Sequence, residues 1–123
     1  GIARDDKARR TDWTMRGFRQ FDAPVSIVIT LDKDLEHDTI AHFDCGAVTY
    51  GIVLAAWSKG LGTVINGQGI MQSSVVRENA NIPEDQVIKT CVAMGWPDED
   101  FEANHVQSRR APVESAAEFV GFD

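Results

Sequence analysis

Cysteine is scarce in this sequence, which contains only Cys45 and Cys91. The two lie far apart, neither belongs to a C-x-x-C pair, and both have apolar sequence neighbours. We therefore expect two free, buried thiols, and neither a disulfide nor a redox pair.

Basic residues are also few. The chain has 12 Lys and Arg against 19 Asp and Glu, which gives a formal net charge of −7. Nucleic acids and anionic membranes bind to basic surfaces, so this balance argues against a general partner of either kind. It leaves open a small anionic ligand, which needs only a few local cations.

Long apolar runs and familiar catalytic motifs are missing as well. The longest apolar stretch is predicted to be too short to cross a bilayer, and no apolar signal region opens the sequence. We therefore expect no membrane partner, and the cytoplasm as the default location. No Ser-His-Asp elbow, P-loop or H-E-x-x-H motif occurs. His37, His42 and Asp44 fit no standard zinc spacing, so a surface loop with incidental histidines is the preferred interpretation.

What is present suits one domain over residues 1–123, because this length supports a single core. Strands are predicted where β-branched and apolar residues run together, and helices where capping residues precede apolar faces. The predicted strands are Val25–Leu31, Leu61–Asn66 and Val87–Met94. The predicted helices are one capped by Thr11 or Asp12, one capped by Asp44 and ending at Trp57, one over Ile70–Ala80, and one from Pro112. This order indicates an α/β or α+β three-layer domain.

The central helix is the most informative element. From Ala47 to Trp57 it is apolar on nearly every side, so it must be covered on all sides. Gly60 supplies a left-handed stop after it. Because the predicted strands and helices make a thin core, we expect a partner chain or a further segment to complete the cover.

Two short segments are candidate binding elements. In Asn66-Gly67-Gln68-Gly69, the glycines permit a sharp turn and expose backbone N–H groups to a flat or anionic ligand. Taken alone, an ordinary strand-to-helix turn explains this segment better. Arg109 and Arg110 precede a predicted helix start and suit a phosphate group, although a solvated basic loop is the simpler interpretation.

Taken in order, these pieces form a pattern along nearly the whole chain. The pieces are FDAP before the first strand, DCGA opening the long helix, LAAWSKGLGT, the NGQG turn, IPE, MGWP ending the last strand, and RAPVE near the end. In this order and spacing the sequence resembles the carboxy-terminal part of the FMN-dependent nitroreductase family. The combination, and no single piece, supports the resemblance.

The resemblance implies an α+β, three-layer fold with a mixed, mainly antiparallel sheet flanked by helices, incomplete in this chain. Members of the family are homodimers with FMN at the subunit interface, where the long buried helix lies. They take hydride from NADH or NADPH and pass it through the flavin to a nitroaromatic, quinone or activated alkene by a ping-pong mechanism. Relatives that dehalogenate, or that fragment flavin, share the scaffold.

The resemblance also assigns site residues. The turn of Asn66, Gly67, Gln68 and Gly69 faces the flavin ring near N5, and no acid–base residue is required. Arg110 holds the FMN phosphate, assisted by Arg109. Nothing in the sequence matches the Arg/Ser cluster and Asn of the family's amino-terminal half, so we expect a separate amino-terminal segment to complete the site. The alternative is a non-catalytic nitroreductase-fold remnant or a flavin-binding module.

Overall fold

The secondary structure is known from a computed structural model that describes residues 1–121. The helices are α1 (Lys7–Phe18), α2 (Thr39–Trp57) and α3 (Ser73–Asn79), and the strands are β1 (Val25–Asp32), β2 (Gly62–Ile65) and β3 (Gln86–Gly95). Short 3₁₀ turns occupy Gln20–Asp22, Lys33–Leu35, Gln68–Ile70, Glu102–His105 and Val113–Ser115. The single domain over 1–123 stays a prediction, and its last two residues lie outside the described part.

The sheet has the order β1-β3-β2, and both strand pairs are antiparallel. β3 lies in the middle, where Val92 pairs with Ile27 of β1 and Ile65 of β2. Cys91 and Val92 are fully buried although successive residues on a strand point to opposite faces. Both faces of the sheet are therefore covered at its centre, as the apolar run predicted for this strand.

Helix α2 packs on the sheet along one stripe of residues spaced three or four apart. The stripe includes half-buried Cys45 and buried Thr49 and Ala56. Elsewhere the helix is open: Phe43 is 76% and Trp57 77% exposed. The described strands and other helices thus leave most of the helix surface free, in agreement with the prediction that this chain alone gives too little cover. The partner chain or further segment that would complete the cover stays a prediction.

The length of α2 also corrects the expectation about apolar stretches. The helix has 19 residues and a mean hydropathy of 1.3, so by length and composition alone it is long and apolar enough to cross a membrane. The shorter predicted helix omitted two turns at its start. This finding is weak evidence for a membrane span, since the core helix of a soluble protein passes the same test.

The start of α2 lies at Asp38, and the prediction of Asp44 as its cap is wrong. Asp38 Oδ1 accepts from the N–H groups of Ile40 at 2.8 Å and Ala41 at 3.2 Å. These bonds satisfy two of the free donors that open every helix. Either aspartate suits a cap chemically, but the added turns pack half-buried Ala41 toward the core and so favour the earlier start.

Two other helix predictions change. Helix α1 is capped by Asp6, which accepts from the Arg9 N–H at 3.0 Å, so the predicted caps Thr11 and Asp12 lie inside the helix. The helix predicted from Pro112 is only the turn Val113–Ser115. Its side chains are exposed, and a short helix without a packed face is marginal in water.

The remaining boundaries lie close to prediction. β1, β2 and β3 each match within about two residues. The helix predicted over Ile70–Ala80 is divided into a 3₁₀ turn and α3. Gly60 has φ +76° and ends α2 in the left-handed conformation, as predicted.

The cap of α2 gives the first testable prediction. Asp38→Ala removes the acceptor of two backbone N–H groups, so we expect the free energy of unfolding to fall by about 1 kcal/mol. Asp44→Ala is the matched control, because Asp44 lies exposed inside the helix, and its effect should stay below about 0.5 kcal/mol. Urea unfolding followed by circular dichroism measures both. Equal losses for the two variants would contradict Asp38 as the cap.

Candidate functional site

The candidate turn, Asn66–Gly69, follows β2 and is held against the centre of β3. The Asn66 N–H donates to the Cys91 carbonyl at 2.8 Å, and the Cys91 thiol lies 3.0 Å from the Asn66 carbonyl oxygen. Asn66 is 4% exposed and Cys91 is fully buried. The turn therefore begins as a continuation of the sheet and not as a loose loop. Both cysteines are free thiols, as predicted, with Cys45 half-buried.

The Asn66 side chain ties the turn to the end of α1. Its Nδ2 donates to the Gly17 carbonyl at 2.7 Å and to Gln20 Oε1 at 2.9 Å. A buried amide left without such partners would destabilise the fold by about 1–3 kcal/mol. Asn66 thus points into the protein and positions the turn, while the backbone of the turn remains at the surface.

Gln68 also faces inward, toward α1. Its side chain lies on buried Gly17, where an added Cβ would lie 2.7 Å from Gln68 Cδ and overlap Oε1. Because Cβ atoms do not tolerate contacts this short, a larger residue at position 17 would displace the end of the Gln68 side chain. Two side chains of the turn, from Asn66 and Gln68, therefore contact the same residue of α1.

The two glycines of the turn differ in their surroundings. A Cβ on Gly69 would lie 2.7 Å from Cys91 Sγ and would overlap the Gln20 amide, whereas a Cβ on Gly67 meets nothing within 4 Å. Gly67 has φ −66° and ψ −30°, which any residue adopts. The turn was predicted to need the wide range of backbone conformations that glycine allows, and Gly67 does not use it. Gly67 instead leaves open space above the backbone.

Three consecutive N–H groups of the turn have no partner in the described part of the chain. Within residues 1–121, no hydrogen-bond acceptor is paired with the N–H of Gly67, Gln68 or Gly69. The next two amides are used, since Ile70 donates to Gly67 and Met71 to Gln68. Successive free N–H groups form a concave donor surface that suits an anionic or electron-rich ligand.

Gln20 is the site residue that sequence reasoning missed. Its Nε2 donates to the Gly69 carbonyl at 3.3 Å, and its Oε1 accepts from Asn66. The two segments are separated by 49 residues, so no local pattern joins them. The nearest signal was the FDAP run directly after Gln20, which contributed to the family resemblance.

Arg109 and Arg110 lie on an exposed loop after the last strand. Arg110 Nη1 donates to the side chain of Ser108, and also to the Ser108 carbonyl at 3.4 Å. Among residues 1–121, no ion pair involves either arginine and no hydrogen bond joins them to the turn. Both guanidinium groups therefore remain available for an anion, and their role in the site stays a prediction.

The fold and the turn together define an α+β protein with a backbone donor site at the end of a sheet strand. The family model described as the nitroreductase family matches residues 2–96. The chain belongs to the nitroreductase family, as the resemblance indicated.

Curated relatives agree with this membership. The chloronitrobenzene nitroreductase of Comamonas testosteroni and the nitrobenzene nitroreductase of Ectopseudomonas oleovorans are each 36% identical to the chain over 121 residues. These matches cover 98% of this chain and 52% of each relative. The chain thus spans about half the length of the curated relatives it matches.

Solved structures confirm the fold. The FMN and NADPH-dependent nitroreductase NfnB from sphigopyxis sp. strain HMH matches with a TM-score of 0.83 and 27% identity, over 99% of this chain and 54% of that one. The FMN-dependent nitroreductase NfnB from Mycobacterium smegmatis, in complex with NADPH, matches with a TM-score of 0.85 at 19% identity, over 97% of this chain and 52% of that one. The predicted α+β, nitroreductase-like fold is therefore confirmed.

The contrast between the two glycines gives a prediction. Gly69→Ala places a methyl group against Gln20 and Cys91, so we expect the free energy of unfolding to fall by about 1–3 kcal/mol. Gly67→Ala is the matched control, and there we expect no loss, or a gain of up to about 1 kcal/mol, because the conformation and the space both accept alanine. Denaturant unfolding measures both variants. A larger loss for Gly67→Ala would contradict the arrangement of the turn.

Proposed function

We propose that the protein is an FMN-dependent oxidoreductase that reduces nitroaromatic compounds, quinones or activated alkenes with hydride from NADH or NADPH. The observation that supports it most is the turn over residues 66–69. In a member of the nitroreductase family, this turn presents three free N–H groups beside the open space at Gly67.

The named relatives narrow the substrate class. The curated matches are nitroreductases named for chloronitrobenzene and nitrobenzene, and the matching solved structures are named as FMN-dependent, one in complex with NADPH. We therefore propose nitroaromatic compounds as the first substrates to test. We propose a ping-pong order, in which the nicotinamide leaves before the acceptor binds at the same place.

The donor set of this chain fits a flavin mononucleotide. When bound, FMN supplies the hydride chemistry, and the protein contributes position and polarity. The N–H groups of Gly67, Gln68 and Gly69 would hold the electron-rich edge of the ring, and the missing side chain at Gly67 would admit a flat group. Arg110, with Arg109, would bind the phosphate through guanidinium hydrogen bonds.

The exposed faces of α2 support a proposal about partners. Side chains such as Ile40, Phe43 and Trp57 are each at least 70% exposed although they are strongly apolar. Contiguous apolar surface of this kind marks an interaction site. We propose that a second copy of the protein, as a homodimer, and a further amino-terminal segment bury these faces and complete the flavin site.

A spectroscopic experiment tests the function. The purified protein, supplied with FMN and freed of excess, should be yellow, and its oxidised-flavin absorbance should bleach when NADPH or NADH is added without oxygen. Nitrobenzene should then restore the colour. Protein that stays colourless after FMN is supplied, with the amino-terminal segment present, would contradict the proposal and support the alternative of a non-catalytic remnant.

The position of the ring gives a prediction for Gly67. Gly67→Asp places bulk and negative charge on the open side of the turn, so we expect flavin reduction by NADPH to slow about tenfold or more. Gly67→Ala is the control for the loss of glycine itself, and it should slow reduction less. Stopped-flow absorbance measures the rate constant. Reduction of Gly67→Asp at the unchanged rate would remove this turn from the proposed site.

The phosphate role gives a prediction for Arg110. Arg110→Ala should weaken FMN binding by roughly 1.5–3 kcal/mol, the usual contribution of a hydrogen bond to a charged group. Arg9→Ala, which removes an exposed arginine of α1, is the control for net charge and should leave the dissociation constant unchanged. Titration of the apoprotein with FMN, followed by flavin fluorescence, measures both. An unchanged constant in Arg110→Ala would contradict the phosphate role.

A further inference from the structure

The segment that links α1 to β1 contains an unusual backbone. Gln20, Phe21 and Asp22 have φ values of 56°, 58° and 58°, and none is glycine. Such left-handed residues are costly, persist only where the surroundings hold them, and concentrate at functional sites. Three in succession call for an explanation beyond a simple connection.

The consequence of this backbone is the position of the Gln20 side chain. Gln20 is half-buried and reaches the turn over residues 66–69, whereas Phe21 and Asp22, the two residues that follow it, are exposed. The Gln20 amide forms hydrogen bonds with both ends of that turn, to Asn66 at 2.9 Å and to Gly69 at 3.3 Å.

The donor and the acceptor of each hydrogen bond can be assigned because the Gly17 carbonyl can only accept. The Gly17 carbonyl accepts at 2.7 Å from Asn66, so the atom of Asn66 that faces it must be Nδ2. The same Nδ2 lies 2.9 Å from the Gln20 amide, whose facing atom must therefore be Oε1. Gln20 Nε2 is then left to donate to the Gly69 carbonyl. The amide of Gln20 has one orientation that satisfies the network.

Cys91 and Gly69 lie close to the Gln20 amide. The fully buried Cys91 thiol lies 3.4 Å from Gln20 Oε1, and a Cβ on Gly69 would overlap the Gln20 amide. The Gly69 carbonyl is therefore turned inward to Gln20, while the N–H groups of Gly67, Gln68 and Gly69 stay unpaired within residues 1–121.

We propose that Gln20 is a positioning residue for the flavin-facing turn: by holding the Gly69 carbonyl, it keeps the three N–H groups directed at the cofactor. The inference rests on the proposed function of the turn. In this role Gln20 acts through the backbone of the turn and needs no contact with the flavin. Its loss should therefore alter the flavin's redox behaviour more than its binding, since Arg110 and the phosphate would still hold the cofactor.

The first test is Gln20→Leu, which keeps the approximate size and removes both hydrogen-bonding functions. We expect reduction of the bound FMN by NADPH to slow about tenfold or more, with a lower midpoint potential. In the flavin-free protein, amide hydrogen exchange at Ile70 and Met71, whose N–H groups donate to Gly67 and Gln68, should quicken about tenfold. Gln72→Leu is the matched control, because Gln72 is exposed and its side chain makes no cap hydrogen bond, and it should match the wild type in all three measurements.

The second test is Gln20→Glu, which separates positioning from packing. The carboxylate keeps the acceptor for Asn66 but turns a second acceptor toward the Gly69 carbonyl, whereas the protonated acid can donate there. Between about pH 8 and pH 5, the ratio of its reduction rate to that of the wild type should rise as the pH falls. Among residues 1–121, Cys91 is the titratable side chain that contacts Gln20. A purely structural loss would leave the ratio flat.

The outcomes distinguish a failure of the positioning role of Gln20 from a failure of the proposed function. If wild-type protein binds FMN and is reduced, but both Gln20 variants match it, the positioning role is overturned while the proposed function stands. If Gln20→Leu fails to fold, the pH dependence of Gln20→Glu decides, and a flat ratio overturns the role. If the wild type neither binds nor reduces FMN, the proposed function fails and the inference fails with it, although faster exchange at Ile70 and Met71 in Gln20→Leu would still show that Gln20 holds the turn.

Discussion

The amide group of Asn66 is the interaction on which the candidate site depends. It is almost fully buried, and it joins the end of α1, the connection at Gln20 and the start of the turn after β2. Asn66 is 46 to 49 residues away from the other two segments in sequence, so its side chain joins parts of the chain that no local turn could connect. Because a buried amide must satisfy its donors, the three segments have one mutual arrangement that avoids the cost of an unpaired group.

The N–H groups at the surface follow from that internal network. Asn66, Gln20 and the Cys91 carbonyl take up the polar groups that face inward, which leaves the amides of residues 67 to 69 on the outer side. The glycine at position 67 adds open space, and the glycine at 69 makes room for Gln20 and Cys91. The two glycines therefore differ in their surroundings, since one faces open space and the other faces the core.

Helix α2 imposes the second constraint. Its one packed stripe covers part of the sheet, while Phe43, Tyr50 and Trp57 stand more than half exposed. Burying a large apolar side chain stabilises a protein by about 1.5–3 kcal/mol, so the free faces of this helix provide a strong driving force for association. The same helix packs against β2, the strand that leads into the turn. The exposed helix and the start of the turn are thus joined through one strand.

Much of the fold could be predicted because strands have a characteristic local sequence pattern. Runs of β-branched residues located β1, β2 and β3 within about two residues, and the family resemblance anticipated a mainly antiparallel sheet. Helix starts were less certain, since Asp38 and Asp44 are equally good caps and only packing against the sheet favours the first. The prediction of a closing helix was wrong for a related reason. Pro112 permits a helix start, but the residues after it do not form a face that packs against the protein.

The candidate site was predictable in place but not in construction. The residues 66 to 69 were identified from two glycines beside polar residues, and their free N–H groups agree with that interpretation. Gln20 could not be identified, because its importance comes from contacts 46 and 49 residues away and from three left-handed residues that no glycine marks. The inward direction of Asn66 and Gln68 likewise depends on Gly17, whose packing role is invisible in the sequence.

The amino-acid sequence by itself determined the strands, the apolar character of the long helix, the position of the turn and membership of the nitroreductase family. These properties depend on neighbouring residues or on motif order, which a sequence contains directly. Only the tertiary structure decided which side chains of the turn face inward, which glycine is open, and that Gln20 holds the Gly69 carbonyl. Those features arise from hydrogen bonds and close packing between distant segments, and such contacts exist only once the chain has folded.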